Sequence, residues 1–284
     1  MGIKRRTRIW TSVGTAALLG GIAGCSEPAG TPASADTQNE AVSSSQTSAP
    51  GFSEGEGESG SSGGEFGIDP VEAGTNPVVY LIALEVMRAH YLAGIDAFEA
   101  GERAAGAEMF AHPISEIYLD FEPVLESRGA PLFGDAMIAA SVAPFNGESD
   151  EAIAEHVANV LTAIDAASAF MPDNQLSPAG IHARVLADLI ERSALQYEVL
   201  ETNPDAHEPY LDGYGFSEAA RRYAGDHLDV IAASEPDLSL HLGQAIAALA
   251  IAFPTATRPD VLTGESPALL ALAEGARTGA DALR

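Results

Sequence analysis

From Asn76 to the C-terminus, the chain alternates Ala- and Leu-rich segments of about fifteen to twenty-five residues with short clusters of Pro, Gly, Asn and Asp. Apolar segments of this length, separated by helix-breaking residues, are typical of helices joined by short turns. The segments lack the regular apolar and polar alternation of β-strands. Since about 209 residues can bury one sizeable core, the pattern predicts an all-α fold, a single bundle of about seven to eight helices over residues 76–284.

Capping residues mark several of the expected helix starts. Asn76 precedes a proline, Ser149 or Asp150 precedes Glu151, and Ser177 precedes another proline. Residues 205–216, rich in glycine and aromatic residues, are expected to form an ordered loop packed on the domain. Helices are predicted over residues 77–100, 103–127, 131–142, 150–170, 178–201, 216–234, 238–253 and 266–282.

The first 25 residues have the layout of an export signal. Four basic residues within positions 4–8 precede an uncharged, largely apolar stretch at 13–22, which is too short to cross a bilayer. The stretch ends in Ile22-Ala23-Gly24-Cys25, which resembles the lipobox of bacterial lipoproteins. The sequence therefore predicts a lipoprotein signal peptide over residues 1–25 and lipidation of Cys25.

Lipidation implies a location and a partner. Acyl chains on Cys25 would anchor the protein to a membrane in the cell envelope, with the rest of the chain facing the periplasm. Ser26 follows the cysteine where an aspartate would resemble an inner-membrane retention signal. The outer membrane is therefore favoured over the inner membrane, while the export route, Sec or Tat, stays open.

Residues 26–75 are dominated by Ser, Gly, Glu, Pro, Ala and Thr and contain nine acids and no base. Such a segment cannot bury enough apolar surface to offset the entropy of ordering it, so a disordered acidic linker is predicted. A flexible coil of about fifty residues has a root-mean-square reach of roughly 35–42 Å. The helical domain can therefore stand clear of the membrane.

Composition excludes several kinds of ligand. Beyond the signal peptide, the chain carries ten arginines and no lysine against forty-one acids, a formal charge near −31. This charge disfavours binding to nucleic acids, although it also suits solubility in a saline habitat. Since Cys25 is the only cysteine, thiolate zinc sites, iron–sulfur clusters and intramolecular disulfides are excluded. A metal would need histidine, carboxylate, tyrosine or backbone oxygen ligands.

The strongest candidate for such a site lies at residues 109–122. His112, Glu116 and Asp120 are spaced i, i+4, i+8, which on a continuous helix places an imidazole and two carboxylates on one face. Because Pro113 restricts the residue before it, His112 could instead begin a helix beside a solvated acidic face. His90 lies on the preceding predicted helix, and a short turn between antiparallel helices would bring it close to His112.

A possible second cluster comprises His207, Tyr210 and Asp212. Its alternative explanation is structural, because tyrosines often close the end of a core with a hydrated hydroxyl. His182, His227 and His241 are single histidines on predicted helices and show no ligand spacing.

Three short blocks carry a family resemblance. Residues 88–94 (RAHYLAG), 110–122 (FAHPISEIYLDFE) and 207–216 (HEPYLDGYGF) are similar to helical envelope lipoproteins of proteobacteria with an H-P-x-x-E-x-Y block. The last block is also distantly similar to the periplasmic helical region of bacterial iron permeases. The resemblance implies a periplasm-facing role near iron or haem traffic. The G-x-H-x-x-E signature of imelysin-type iron-uptake lipoproteins is absent.

Two functions follow as hypotheses. The first is a lipid-anchored protein that binds or presents a cation, with iron favoured, as an accessory to an envelope transport protein. The alternative is a ligand-free helical module that docks another envelope protein. No G-x-S-x-G, H-E-x-x-H or thiol nucleophile indicates an enzyme. Convergence of His90, His112, Glu116 and Asp212 within about 5–6 Å would favour the cation, and their dispersal would favour the module.

Overall fold

The computed structural model describes residues 68–203, 206 and 208–284. Within these ranges the chain is helical and contains no strand, which confirms the predicted all-α bundle. One segment, Arg103 to Arg128, is continuous but passes through a π-helical turn at Ile114–Tyr118. The α-helices are α1 Pro70–Ala73, α2 Pro77–Glu99, α3 Arg103–Pro113, α4 Leu119–Arg128, α5 Gly134–Val142, α6 Asp150–Ser168, α7 Pro178–Thr202, α8 Glu208–Ala232, α9 Pro236–Ala252 and α10 Ser266–Asp281.

The predicted caps begin three of these helices. Side-chain oxygens of Asn76, Ser149 and Ser177 accept hydrogen bonds from backbone N–H groups in the first turns of α2, α6 and α7. Each bond satisfies a donor that a helix N-terminus would otherwise leave without a partner. At the other end of α4, Gly129 adopts a left-handed conformation with φ of 72° and stops the helix.

Helix α2 occupies the centre of the bundle. It packs against α3, α6, α7 and α8, and large side chains such as Tyr80, Leu84, Met87 and Tyr91 are fully buried along it. Among the described helices, α2 alone is long and apolar enough to cross a membrane, yet 83% of its most apolar window is buried inside the protein. A helix that is apolar on all sides is expected at the core of a large bundle.

The helical domain includes residues before Asn76. Ile68 and Ala73 are buried in the core, and the Asp69 carboxylate caps α1 by accepting from the Val71 and Glu72 N–H groups. The predicted linker boundary at residue 75 is therefore too late, because an Asp-Pro start forms a short helix that packs on α2 and α4. Residues 1–67, including Cys25, lie outside the described residues.

Helix α8 begins at Glu208, so the loop expected over residues 205–216 is wrong for residues 208–216. Pro209 is tolerated because it lies in the first turn, where its missing N–H has no intrahelical partner. The two glycines that indicated a loop serve close packing instead. A Cβ on Gly213 would overlap the Phe253 ring, and one on Gly215 would lie 2.5 Å from the carbonyl oxygen of Ala89 on α2.

Candidate metal centre

The α2–α3 hairpin brings two histidines together. The helices are joined by a tight turn at Gly101, and their backbones pass close together at Gly94 and Gly106. A Cβ on Gly106 would be 2.6 Å from the Gly94 carbonyl oxygen. At this spacing the His90 and His112 ring centroids are 6.3 Å apart, with the rings nearly perpendicular at 74°. The structure thus places His90 close to His112, the proximity that the short turn between the two helices predicted.

His90 is fixed in one tautomer. Its side chain is 2% exposed, and its Nδ1 lies 2.8 Å from the carbonyl oxygen of Val86, one turn earlier on α2. A carbonyl oxygen can only accept, so Nδ1 carries the proton and Nε2 carries the lone pair. Nε2 points towards Glu116 and Asp212, at 3.6 Å from Glu116 Oε2 and 3.8 Å from Asp212 Oδ1. A backbone hydrogen bond that orients the imidazole in this way is typical of metal-binding histidines.

Burial keeps the His90 imidazole neutral. Removal from water lowers the pKa of His90 to about 4, and the neighbouring His112 and Arg192 side chains act in the same direction. The Val86 carbonyl, which favours the protonated ring, only partly offsets burial. Neutral imidazole is the form that coordinates metals, so His90 is ready to bind at neutral pH without releasing a proton.

Glu116 lies on the π-helical turn. Here the Leu119 N–H donates to the Ile114 carbonyl, a bond spanning five residues rather than four. The turn is anchored by Tyr118, whose hydroxyl accepts hydrogen bonds from the Phe133 and Gly134 N–H groups at 3.0 and 2.8 Å. Such π-helical turns within α-helices occur frequently at functional sites. The helix continues through Pro113, so His112 lies inside α3 and not at a helix start.

The remaining carboxylates come from α8. His112 Nδ1 lies 3.7 Å from Glu208 Oε1 and 3.9 Å from Glu116 Oε1. Asp212, one turn after Glu208, is 8% exposed and faces His90. We call these five residues, His90, His112, Glu116, Glu208 and Asp212, the histidine–carboxylate cluster.

The cluster has dimensions suited to a metal ion. His90, His112 and Glu116 each offer one ligand atom, and these three atoms lie within 4.8 Å of one another. Two atoms that each lie about 2.1 Å from one ion are at most about 4.2 Å apart, so small side-chain movements suffice for joint coordination. The described residues hold no other group of three or more histidine and acidic side chains with this convergence.

The other predicted ligands lie elsewhere. Asp120 is exposed on α4 and does not join the cluster, because it stands one helical turn, about 6 Å, beyond Glu116. Tyr210 is buried, and its hydroxyl donates to the Thr255 carbonyl at 2.7 Å, so it has a structural role at the end of α9. His207 lies outside the described residues. The predicted second cluster is therefore divided, because Asp212 faces His90 and Tyr210 does not.

A second polar region was not predicted from the sequence. A cavity of about 380 Å³ is lined by Arg88, Tyr223, His182 and His227, among other residues. The two imidazoles stack with centroids 3.9 Å apart, and His182 Nδ1 lies 2.7 Å from the Tyr223 hydroxyl. In two parallel stacked rings the nitrogen lone pairs do not point towards a common position. This arrangement therefore does not favour coordination of one metal ion by both histidines. The signal available in the sequence was the spacing of Tyr223 and His227, which places both on one face of α8.

The five residues of the histidine–carboxylate cluster come from three sequence blocks, at 88–94, 110–122 and 207–216. The chain matches no protein-family model, no curated protein and no solved structure.

Proposed function

We propose that this protein binds a transition-metal cation through His90, His112 and Glu116, with the α8 carboxylates beside them. The observation that carries the proposal is the approach of three ligand atoms, from α2, α3 and the π-helical turn, to within 4.8 Å. Two imidazole nitrogens and a carboxylate oxygen at this spacing are ligand types that transition-metal ions prefer.

The donor set favours iron among the possible cations. Calcium and magnesium prefer sites made of oxygen ligands alone, whereas imidazole nitrogens suit zinc, copper, nickel and iron. Two histidines and one carboxylate form the usual donor set of non-haem Fe(II) sites. The absence of cysteine beyond Cys25 leaves no thiolate to favour zinc or copper(I).

The location of the protein in the cell envelope is part of the same proposal. A lipid on Cys25 would hold the domain at the cell envelope, facing the periplasm and favouring the outer membrane, and the predicted acidic linker would let it move away from the bilayer. A metal-binding domain in that position could capture iron or present it to an envelope transport protein. The strongly acidic surface of the chain supports this role, because it attracts cations towards the site.

Calorimetric titration of the purified protein with Fe(II), Zn(II) and Ca(II), in the absence of oxygen, tests the proposal. We expect saturable binding of the transition metals, and loss of one ligand in His112→Ala or Glu116→Gln should weaken it at least tenfold. Asp120→Asn is the matched control, because it removes an exposed acid from the same helical segment and should leave the affinity unchanged. Binding that is not saturable, or that Asp120→Asn weakens equally, would favour a ligand-free interaction module.

A further inference from the structure

The carboxylate of Glu116 faces two different imidazoles. Its Oε2 lies 3.6 Å from His90 Nε2, whereas its Oε1 lies 3.9 Å from His112 Nδ1. The two oxygens of one carboxylate therefore belong to two separate histidine neighbourhoods. A bidentate contact with a single ion would instead direct both oxygens to the same point.

Helix α8 supplies one more carboxylate to each neighbourhood. Asp212 Oδ1 lies 3.8 Å from His90 Nε2, and Glu208 Oε1 lies 3.7 Å from His112 Nδ1. Glu208 and Asp212 are four residues apart, so they lie on one face of α8 and are displaced by about 6 Å along its axis. Each imidazole is thus within 3.9 Å of one Glu116 oxygen and of one α8 carboxylate, and every one of these four separations is below the limit of about 4.2 Å for ligands of one ion.

We propose that the histidine–carboxylate cluster binds two metal ions bridged by Glu116. One ion is held by His90 Nε2, Glu116 Oε2 and Asp212, and the other by His112 Nδ1, Glu116 Oε1 and Glu208. This inference rests on the proposed function and extends it from a metal site to a dinuclear centre.

Distance and charge agree with this arrangement. Two-metal sites in proteins hold their ions about 3.5–4 Å apart, a separation that one bridging carboxylate can span. The three carboxylates contribute three negative charges, and two divalent ions contribute four positive charges, so a bound hydroxide would bring the centre to neutrality. With one divalent ion, the same ligands would keep a net negative charge beside the largely buried Glu116 and Asp212 carboxylates, which is costly.

The two positions differ in their access to solvent. The His90 side chain is 2% exposed and Asp212 is 8% exposed, whereas His112 is 26% exposed and Glu208 is 66% exposed. Burial of polar ligands excludes competing water, so we expect the His90 position to bind more tightly and the His112 position to exchange its ion faster. Such a pair suits a protein that stores one ion firmly and passes on the other.

Manganese(II) is a suitable probe, because an isolated ion gives a six-line electron paramagnetic resonance spectrum and a carboxylate-bridged pair gives a broad, exchange-coupled one. After equilibrium dialysis of the purified protein, we expect two ions per chain by elemental analysis and the coupled spectrum. Glu208→Gln should lower the content to one ion with a six-line spectrum. Since Glu208 is largely exposed, this substitution leaves the folded core intact.

Two further variants complete the test. Glu116→Gln should remove the coupling and at least one ion, while Asp120→Asn should retain two coupled ions. One ion per chain in the unsubstituted protein would overturn the dinuclear centre and leave the proposed function standing. Two uncoupled ions that Glu116→Gln leaves unchanged would also overturn it, since they would be ions on the acidic surface. No bound ion with manganese, iron or zinc would reject the proposed function itself.

Discussion

His90 Nε2 lies 3.6 Å from Glu116 Oε2, although one residue belongs to the central helix and the other to a π-helical turn. The distance is longer than a hydrogen bond and close to that between two ligands of one ion. It depends on two backbone features, the bond from His90 to Val86 that orients the imidazole and the turn that presents the carboxylate. These features make the pair the centre of the site.

The low pKa of His90 makes the stability of the metal-free protein depend on pH. The pKa of this buried side chain is about 4 in the folded protein and near 6.5 when it is unfolded, so at intermediate pH only the unfolded chain takes up the proton. The neutral ring makes its full contribution to the free energy of unfolding above about pH 6.5. This contribution falls by roughly 3 kcal/mol as the pH drops to 4.

Urea unfolding with a chelator present, between pH 4 and 7.5, measures this dependence. We expect His90→Gln to show a shallower decline than the unsubstituted protein, because it lacks the titrating ring. His112, Glu116, Asp212 and Arg192 face or surround this ring and are identical in both proteins. Parallel curves for the two proteins would contradict the assignment of a neutral, buried imidazole.

The contact between α2 and α8 holds Asp212 against His90. Because a Cβ on Gly215 would lie 2.5 Å from the Ala89 carbonyl oxygen, Gly215→Ala should push the two helices apart and lower both stability and metal affinity. We expect a loss of about 1–3 kcal/mol in chemical unfolding. Gly225→Ala is the matched control on the same helix, since no atom lies within 4 Å of the added carbon. It should stabilise the protein by up to about 1 kcal/mol, and equal effects of the two substitutions would argue against close packing.

A buried ion pair stabilises the wall of the cavity. Arg88 Nε lies 3.1 and 2.9 Å from the two Glu85 oxygens, and its Nη2 lies 2.6 Å from Asp165 Oδ1. Burial raises the pKa of Glu85 despite this pairing. Arg88→Met should therefore cost about 3–5 kcal/mol, because it leaves Glu85 buried without its charge partner.

The double variant Glu85→Leu with Arg88→Met measures the net contribution of the ion pair to the free energy of unfolding. Replacing both charges by apolar groups should restore most of the lost stability in urea unfolding, because no buried charge is then left behind. If the double variant is less stable than Arg88→Met alone, the ion pair stabilises the protein by more than the neutralisation of its two buried charges.

Membrane attachment is predicted to depend on a single atom. Cys25→Ser replaces the thiol that would carry the lipid and should move the protein from the membrane fraction to the soluble fraction. Ser26→Ala, at the next position, should leave fractionation unchanged. Retention of Cys25→Ser in membranes after a high-salt wash would show that another segment anchors the chain.

The helix bounds were largely predictable because local signals decide them. Asn76, Ser149 and Ser177 cap helices as expected, and seven predicted helices agree with the structure to within three residues at either end. The exception is α8, where Gly213 and Gly215 look like a loop in sequence. Their function is to let Phe253 and Ala89 approach, and such contacts depend on the tertiary fold.

The site was predictable only in part, for the same reason. The hairpin between α2 and α3 places His90 near His112, and helical spacing places Glu116 beside them. The contributions of Glu208 and Asp212 depend on how α8 crosses α2, which no local pattern encodes. Asp120 satisfies the spacing rule but lies exposed on α4 and away from the cluster.

Anomalous X-ray scattering from crystals of the protein loaded with iron, collected at the iron absorption edge, locates the bound metal directly. We expect strong peaks within about 2.0–2.3 Å of His90 Nε2 and Glu116. These peaks should disappear in His90→Gln and persist in Asp120→Asn. Peaks confined to exposed acidic side chains, with no density between His90 and Glu116, would contradict the proposed metal site.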